Sequence, residues 1–230
     1  TLGDAAAAAL HVTYQTGHVA LHRRAHLQPG ETLLVHAGAG GVGSAAIQLG
    51  LAAGARVVAT AGGAEKVQVC RDLGAELVID YRAGDFVDAV KEFTDGRGAD
   101  VIYDPVGGSA FDISLRCVAP EGRLIPMGFA SGTIPQIPAN ILLVKNVTVI
   151  GFYYGYWNGW GGKGEPSPKE AAALAKRRAM VADAQKQLMR WFTEGKLKAT
   201  VAGSFDLGDW VEAFKLIEQR TVVGKAVLVP

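Results

Sequence analysis

Gly38, Gly40 and Gly43 stand at G-x-G-x-x-G spacing and follow a run of β-branched and leucine residues, Thr32-Leu33-Leu34-Val35. Ser44-Ala45-Ala46-Ile47-Gln48-Leu49 comes directly after them and reads as the opening of a helix. Glycine-rich turns are common, so the spacing alone says little. Between a strand and a helix it is a dinucleotide-binding fingerprint. The first glycine permits a tight turn, the second lets backbone approach a pyrophosphate, and the third lets helix and strand pack closely. The unpaired N–H groups and positive dipole end of the helix then face the phosphates.

A second set of residues bears on which dinucleotide is bound. NAD-selective versions of this arrangement place Asp or Glu about 20 residues after the motif, at the end of the second strand, to hold the ribose hydroxyls. Here that strand ends Val57-Val58-Ala59-Thr60-Ala61-Gly62-Gly63, with no carboxylate at its tip. Small residues leave space for a 2′-phosphate, and Lys66 lies one helical turn further on. Asp80-Tyr81-Arg82 closes the third strand, adding a hydroxyl and a guanidinium at the same edge. Arginine suits phosphate because its planar fork donates paired hydrogen bonds. Lys66, Tyr81 and Arg82 therefore point to NADP(H). The competing reading is that Lys66 and Arg82 are ordinary solvated charges, with Glu65 beside Lys66 able to neutralise it.

Other constellations are weaker. All 5 histidines precede Gly38, and His18, His22 and His26 fall at i, i+4, i+8 on one helix face. That spacing suits a metal, but Arg23 and Arg24 interleave it and no cysteine or carboxylate joins it, so a histidine-bearing surface face is favoured and no metal is expected. His36 ends the first strand and reads as support for the turn. The stretch Phe152-Tyr153-Tyr154-Gly155-Tyr156-Trp157-Asn158-Gly159-Trp160 suits either an aromatic pocket for a flat acceptor or an interface between subunits. No tyrosine has lysine four residues later, no G-x-x-x-x-G-K-[ST] run occurs, and Gly107-Gly108-Ser109-Ala110-Phe111 lacks the last glycine of a nucleophile elbow.

The elements needed to position these residues are legible along the chain. Strands are expected at 32–36, 56–61, 77–80, 100–104, 123–127 and 148–152, with helices at 42–53, 64–73, 86–93 and 109–117 between them. Two leading helices are expected at 5–10 and 14–26, with Asp4 capping the first. Continuously apolar strands joined by helices imply a doubly wound parallel sheet covered on both faces, an α/β Rossmann fold. Ligands in such sheets sit beyond the carboxyl ends of the strands, where Gly38–Gly43 lies. A glycine- and aromatic-rich loop is expected over 153–168, then a helix to about residue 194, a helix near 208–218 and a final strand at 225–229. Residues 1–204 read as the dinucleotide-binding domain and 205–230 as a tail too small to stand alone.

With 230 residues, 49% of them hydrophobic, the chain can bury a full core. Lys plus Arg number 23 against 22 Asp plus Glu, so no basic surplus argues for nucleic acid or an anionic membrane. Cys70 and Cys117 form no C-x-x-C pair, which suits a reducing, cytoplasmic setting. No apolar run approaches the roughly 20 residues that span a bilayer, and no signal peptide is evident. The chain opens on Thr1 rather than methionine, consistent with a processed or excised piece.

Taken together, these residues resemble the medium-chain dehydrogenase/reductase superfamily, and within it the zinc-free quinone oxidoreductases, the group of zeta-crystallin. Thr16-Gly17-His18-Val19-Ala20-Leu21, Gln28-Pro29-Gly30-Glu31 and Gly40-Gly41-Val42-Gly43 carry the likeness. So do Val101-Ile102-Tyr103-Asp104 before Val106-Gly107-Gly108, Gly122-Arg123-Leu124 before Met127-Gly128-Phe129, and Gly224-Lys225-Ala226-Val227-Leu228. The resemblance implies that Gly41 and Val42 touch the pyrophosphate, and that Lys66, Tyr81 and Arg82 hold the 2′-phosphate. It places Thr16, the turn Gly128-Phe129-Ala130-Ser131, and Gly151-Phe152 around the nicotinamide. It further implies NADPH-dependent hydride transfer to a quinone or conjugated carbonyl, and a homodimer joined through the sixth strand.

In that group a barrel-like catalytic domain of about 100 residues precedes this segment, and the C-terminal strand returns to it. No residue here reads as an obligatory acid or base, so the catalytic residues are unknown, with Thr16 the best local candidate for orienting the nicotinamide. Zinc-dependent relatives carry a cysteine ligand where this chain has Val12, which cannot ligate, so a zinc-free site is expected. The alternative is an NADP(H)-binding module or sensor that lacks turnover.

Overall fold

The computed structural model describes residues 2–160 and 165–230. Six strands, β1 (Thr32–Val35), β2 (Arg56–Ala61), β3 (Leu77–Asp80), β4 (Ala99–Asp104), β5 (Val118–Pro126) and β6 (Thr148–Val149), form one parallel sheet in the order β3-β2-β1-β4-β5-β6. The order reverses at β1, between β2 and β4, which creates the crevice where doubly wound sheets bind dinucleotides. The doubly wound α/β architecture is as expected.

The sheet is apolar on both faces because alternate residues of each strand point opposite ways. Leu33, Val35, Val57, Ala59, Val101 and Tyr103 pack on one side with Leu10 and Tyr14 of α1 (Asp4–His18) and Ile47 and Leu49 of α2 (Gly41–Ala52). Leu34, Val58, Ile102 and Leu124 pack on the other with Val87 and Val90 of α4 (Val87–Phe93) and Phe111 and Leu115 of α5 (Ser109–Cys117). Between β2 and β3 runs α3 (Ala64–Asp72).

Several expectations are corrected. The two leading helices are one: α1 passes without a break into a π-helical turn, Val19–Arg24. Residues 11–13 contain no glycine or proline to interrupt it, and the Thr13 hydroxyl donates back to the Ala9 carbonyl at 3.2 Å. Gly3, not Asp4, is the N-cap, and Asp4 sits in the first turn, where a negative charge favours the helix dipole. β6 ends at Val149 rather than 152; beyond it the Gly151 carbonyl accepts from the Arg24 guanidinium at 2.9 Å instead of from a strand.

Four elements were not expected as such: α6 (Ala139–Lys145), α7 (Tyr154–Asn158), a 3₁₀ turn at Leu207–Asp209 and β7 (Val201–Asp206). β7 pairs in parallel with β8 (Lys225–Val229) as a separate two-stranded sheet, so this C-terminal unit takes in residues 201–204 as well as the tail. α9 (Trp210–Glu218) joins the two strands. The long helix α8 (Pro168–Thr193) starts at a capping box between Ser167 and Glu170 with proline in its first turn. Among the described residues no helix is long and apolar enough to cross a membrane.

Candidate cofactor site

At the carboxyl end of β1 the chain turns through Ala37, whose φ is 51°, and enters α2. The turn is fastened by the Gly38 amide to the Thr60 carbonyl at 2.9 Å and the Gly40 amide to the Ala37 carbonyl at 2.9 Å. Gly43 is glycine for a steric reason: a Cβ there would stand 2.2 Å from the Ala37 carbonyl oxygen. The N-cap of α2 is Gly40, with no side chain covering the helix end, so the first-turn N–H groups of Gly41, Val42 and Gly43 have no side-chain cap.

His36, the residue before this turn, ties the end of β1 to β2 and α5 through its side chain. It is fully buried, with Nε2 2.7 Å from the Ser114 hydroxyl and Nδ1 3.0 Å from the Thr60 hydroxyl, and its ring lies 4.9 Å from Phe86. The Ser114 hydroxyl proton goes to the Ala110 carbonyl at 2.6 Å, so His36 Nε2 donates to Ser114 and Nδ1 accepts from Thr60. Burial lowers its pKa and keeps the ring neutral.

The C-terminal unit reaches the same turn. Gly224 bridges Gly40 and donates its amide to the Ala39 carbonyl at 2.8 Å. The stem of Lys225 lies against Gly41, 2.9 Å from where a Cβ would be. In the sequence, Gly224 and Lys225 stand out only within the family resemblance. Nothing local marks them, because their placement depends on the pairing of β8 with β7.

At the neighbouring edge, Tyr81 and Arg82 follow β3 and lean over the end of β2. A Cβ on Gly62 would meet the Tyr81 hydroxyl at 2.5 Å and Arg82 Nε at 3.1 Å, and one on Gly63 would meet the Arg82 guanidinium at 3.0 Å. Lys66, in the first turn of α3, donates to the Arg220 carbonyl at 2.6 Å, which brings Arg220 to this edge too. Of the three residues expected at a 2′-phosphate, Tyr81 and Arg82 thus lie over the tip of β2, and Lys66 stands in the first turn of the helix that leaves it.

A third cluster lies where β4, β5 and β6 end. Buried Asp104 accepts the amides of Val106 and Gly107 at 2.7 and 3.0 Å. The turn Gly128-Phe129-Ala130-Ser131 stacks on this loop: Ala130 and Ser131 donate their amides to Pro105 and Val106 at 3.1 and 3.0 Å. Phe129 is exposed, and Phe152 lies 6.5 Å from Trp157. Thr16 is half-buried on α1, beside Gly17, which packs on Leu49 near the Tyr103 hydroxyl. The expected residues thus line one edge of the sheet in three groups rather than a single cluster.

The histidine face is only partly real. His18 and His22 stack at 4.6 Å and pack against Trp191, with both pKa values lowered to about 4, chiefly by burial. His26 leaves the helix at a φ of 51°. Among the described residues, no group of three or more His, Cys, Asp or Glu could hold a metal ion. Of the aromatic stretch, Tyr154 bonds Gln15, Trp157 is buried, and Tyr156 stacks under Arg177 at 3.9 Å. Residues 161–164 of the expected loop lie outside the described residues. Cys70 and Cys117 are free and buried, which pushes both thiols up to about 12.

Residues 41–163 match the family described as zinc-binding dehydrogenase. A quinone oxidoreductase-like protein 2 homolog from Nematostella vectensis is 42% identical over 224 residues, 96% of this chain and 57% of that protein. The chain thus spans less than two thirds of that relative. A quinone oxidoreductase of Pseudomonas syringae superposes with a TM-score of 0.83 at 32% identity, covering 100% of this chain and 66% of the other. The Escherichia coli quinone oxidoreductase complexed with NADPH does so at 0.78 and 29%, covering 95% and 63%. With the reversal at β1, the glycine turn and these matches in hand, the chain belongs to the zinc-binding dehydrogenase family, in the quinone oxidoreductase-like group of the medium-chain dehydrogenases/reductases.

Proposed function

We propose that this chain is the NADP(H)-binding portion of a zinc-independent reductase that delivers a hydride to a quinone or conjugated carbonyl. One observation carries the reading: the tip of β2 bears no carboxylate of its own, and Tyr81 and Arg82 lie over its glycines, with Lys66 in the first turn of the helix that follows. A 2′-phosphate brought there meets cations, a hydroxyl and the uncapped end of α3. When bound, NADPH supplies the hydride; the chain's own residues hold its pyrophosphate at Gly41 and Val42 and its nicotinamide near Thr16, Gly128–Ser131 and Gly151–Phe152. The NADPH complex of the Escherichia coli relative supports the choice of cofactor.

The decisive measurement is a pair of titrations with NADPH and NADH. Tighter binding of NADPH is expected, and equal affinities sink the assignment. Zinc independence is supported by Val12, whose apolar side chain cannot ligate; prolonged chelation leaves quinone reduction unchanged if it is right.

The expected homodimer is supported by β6, which among the described residues pairs only with β5 and follows α6 with its exposed Leu143 and Val144. Sedimentation at two concentrations tests it. A cytoplasmic enzyme acting on small molecules, with neither nucleic acid nor membrane as partner, fits the balanced charge.

A second reading is favoured by a specific surface. α9 exposes Trp210, Val211, Phe214 and Ile217 together, an apolar face of the kind that further domains cover. On this reading, residues 205–230 dock on a catalytic domain and the 230-residue chain binds NADP(H) without turnover. Consumption of NADPH with a quinone by this chain alone rules that out.

A further inference from the structure

We infer that Asp80 is the positioning residue of the phosphate edge, setting the preference for NADPH over NADH through Gly63, Tyr81 and Arg82. This rests on the NADP(H) reading above.

The last residue of β3, Asp80, stands in register with Ala61, the last of β2. Its carboxylate does not face solvent as a free charge. Both oxygens accept the Gly63 amide at 3.1 Å, and one also accepts the Arg82 amide at 3.0 Å. Gly63 is the N-cap of α3, at a φ of 89°, and Arg82 carries the guanidinium that lies over it. One carboxylate therefore clamps the entry of α3 to the residues that follow β3.

Two consequences follow for a ligand. The clamp consumes the Gly63 amide, which lies outside the helix, and leaves the first-turn amides of α3 uncapped by any side chain. It also fixes the backbone from which Tyr81 and Arg82 project, so that their polar ends lie over Gly62 and Gly63. The charge that remains on Asp80 is countered by the amides it accepts from Arg82 and Gly63, which hold its carboxyl below the usual carboxylate range. A carboxylate at this edge would otherwise repel a 2′-phosphate. Here it is spent on the backbone, and its role is to aim other groups.

The test compares Asp80→Ala and Asp80→Asn with the unmutated chain, titrating each with NADPH and NADH and recording thermal melting and amide exchange at Gly63 and Arg82. Alanine removes both backbone bonds. The expected result is a loss of about tenfold in NADPH affinity with NADH changed less than about twofold, and faster exchange at both amides. Asparagine retains an acceptor oxygen and is expected to keep NADPH affinity within about threefold, which assigns the effect to hydrogen bonding rather than charge. Equal weakening of both cofactors by Asp80→Ala, or no change in either, overturns the inference, and so does an Asp80→Asn variant as impaired as the alanine. If the unmutated chain shows no preference for NADPH, the NADP(H) reading falls as well. If that preference exists and survives Asp80→Ala, only the role of Asp80 falls.

Discussion

The Lys225 side chain lies across Gly41 so closely that a Cβ on that glycine would stand 2.9 Å from its δ and ε carbons. Lys225 opens β8, and Gly41 opens α2. The last strand of the chain therefore borders the same turn as the first, and its ammonium is carried toward a helix N-terminus that attracts anions. Lys225→Ala is expected to weaken NADPH and NADH alike, by about threefold to fivefold, because the pyrophosphate is common to both. Parallel titrations check this; an effect on NADPH alone would move Lys225 to the phosphate edge instead.

Lys66 and Arg82 give the opposite pattern. Lys66→Ala and Arg82→Ala should each cost about tenfold in NADPH affinity and leave NADH nearly unchanged. Arg82→Lys should restore little, since a lysine lacks the planar fork. Raising salt should narrow the gap between the cofactors, because both groups are charged, Arg82 exposed and Lys66 half-buried.

Gly43→Ala tests the fingerprint as a packing device. Its methyl group would meet the Ala37 carbonyl oxygen at 2.2 Å and the backbone of Ala37 and Gly38 at 2.8 Å, and backbone cannot yield cheaply. A destabilisation of about 3 kcal/mol is expected, read as a melting temperature lower by roughly 6–12 °C. An unchanged melting curve would show that the turn relaxes freely.

Tyr103 carries a fully buried hydroxyl with no hydrogen-bond partner among the described residues. Burial raises its pKa, so the group stays neutral. Tyr103→Phe removes an unpaired polar atom and keeps the ring, so a gain of about 1 kcal/mol is expected. Denaturant melts of the two proteins decide the sign.

His18 and His22 make stability depend on pH. Burial lowers both in the folded chain to about 4, against the ordinary histidine value of 6.5. Between those values the unfolded chain binds protons that the folded chain refuses. Their contribution is therefore complete above the unfolded value, is lost as pH falls through this window, and levels off below about 4. The double variant His18→Asn, His22→Asn should lose less melting temperature between pH 7 and pH 5 than the unmutated chain. Equal losses would place the titration elsewhere.

Much of the fold was legible because the central strands are buried on both faces and so read as uninterrupted apolar runs. β2 and β3 fall where expected to the residue, and so does the helix over 109–117. The errors lie where tertiary contacts override local pattern. β6 ends before Gly151, whose carbonyl accepts from an arginine of the π-helical turn, and β7 is paired with β8, far away in the sequence. The histidine face is shortened for a similar reason: His18 and His22 still meet across the π-helical turn, but the exit at His26 takes the third histidine off the helix.

By itself the sequence determined the doubly wound class, the glycine turn and the types of residue at the tips of β2 and β3, since these follow from periodicity, turn chemistry and charge within short windows. Only the tertiary structure decided which distant groups meet there. Asp80 reaching back to Gly63, Lys66 meeting the Arg220 carbonyl, and Lys225 crossing Gly41 all depend on strand order and on the return of the C-terminal unit to β1. Contacts of that kind are set by how strands pair across the sheet, and no local pattern encodes them.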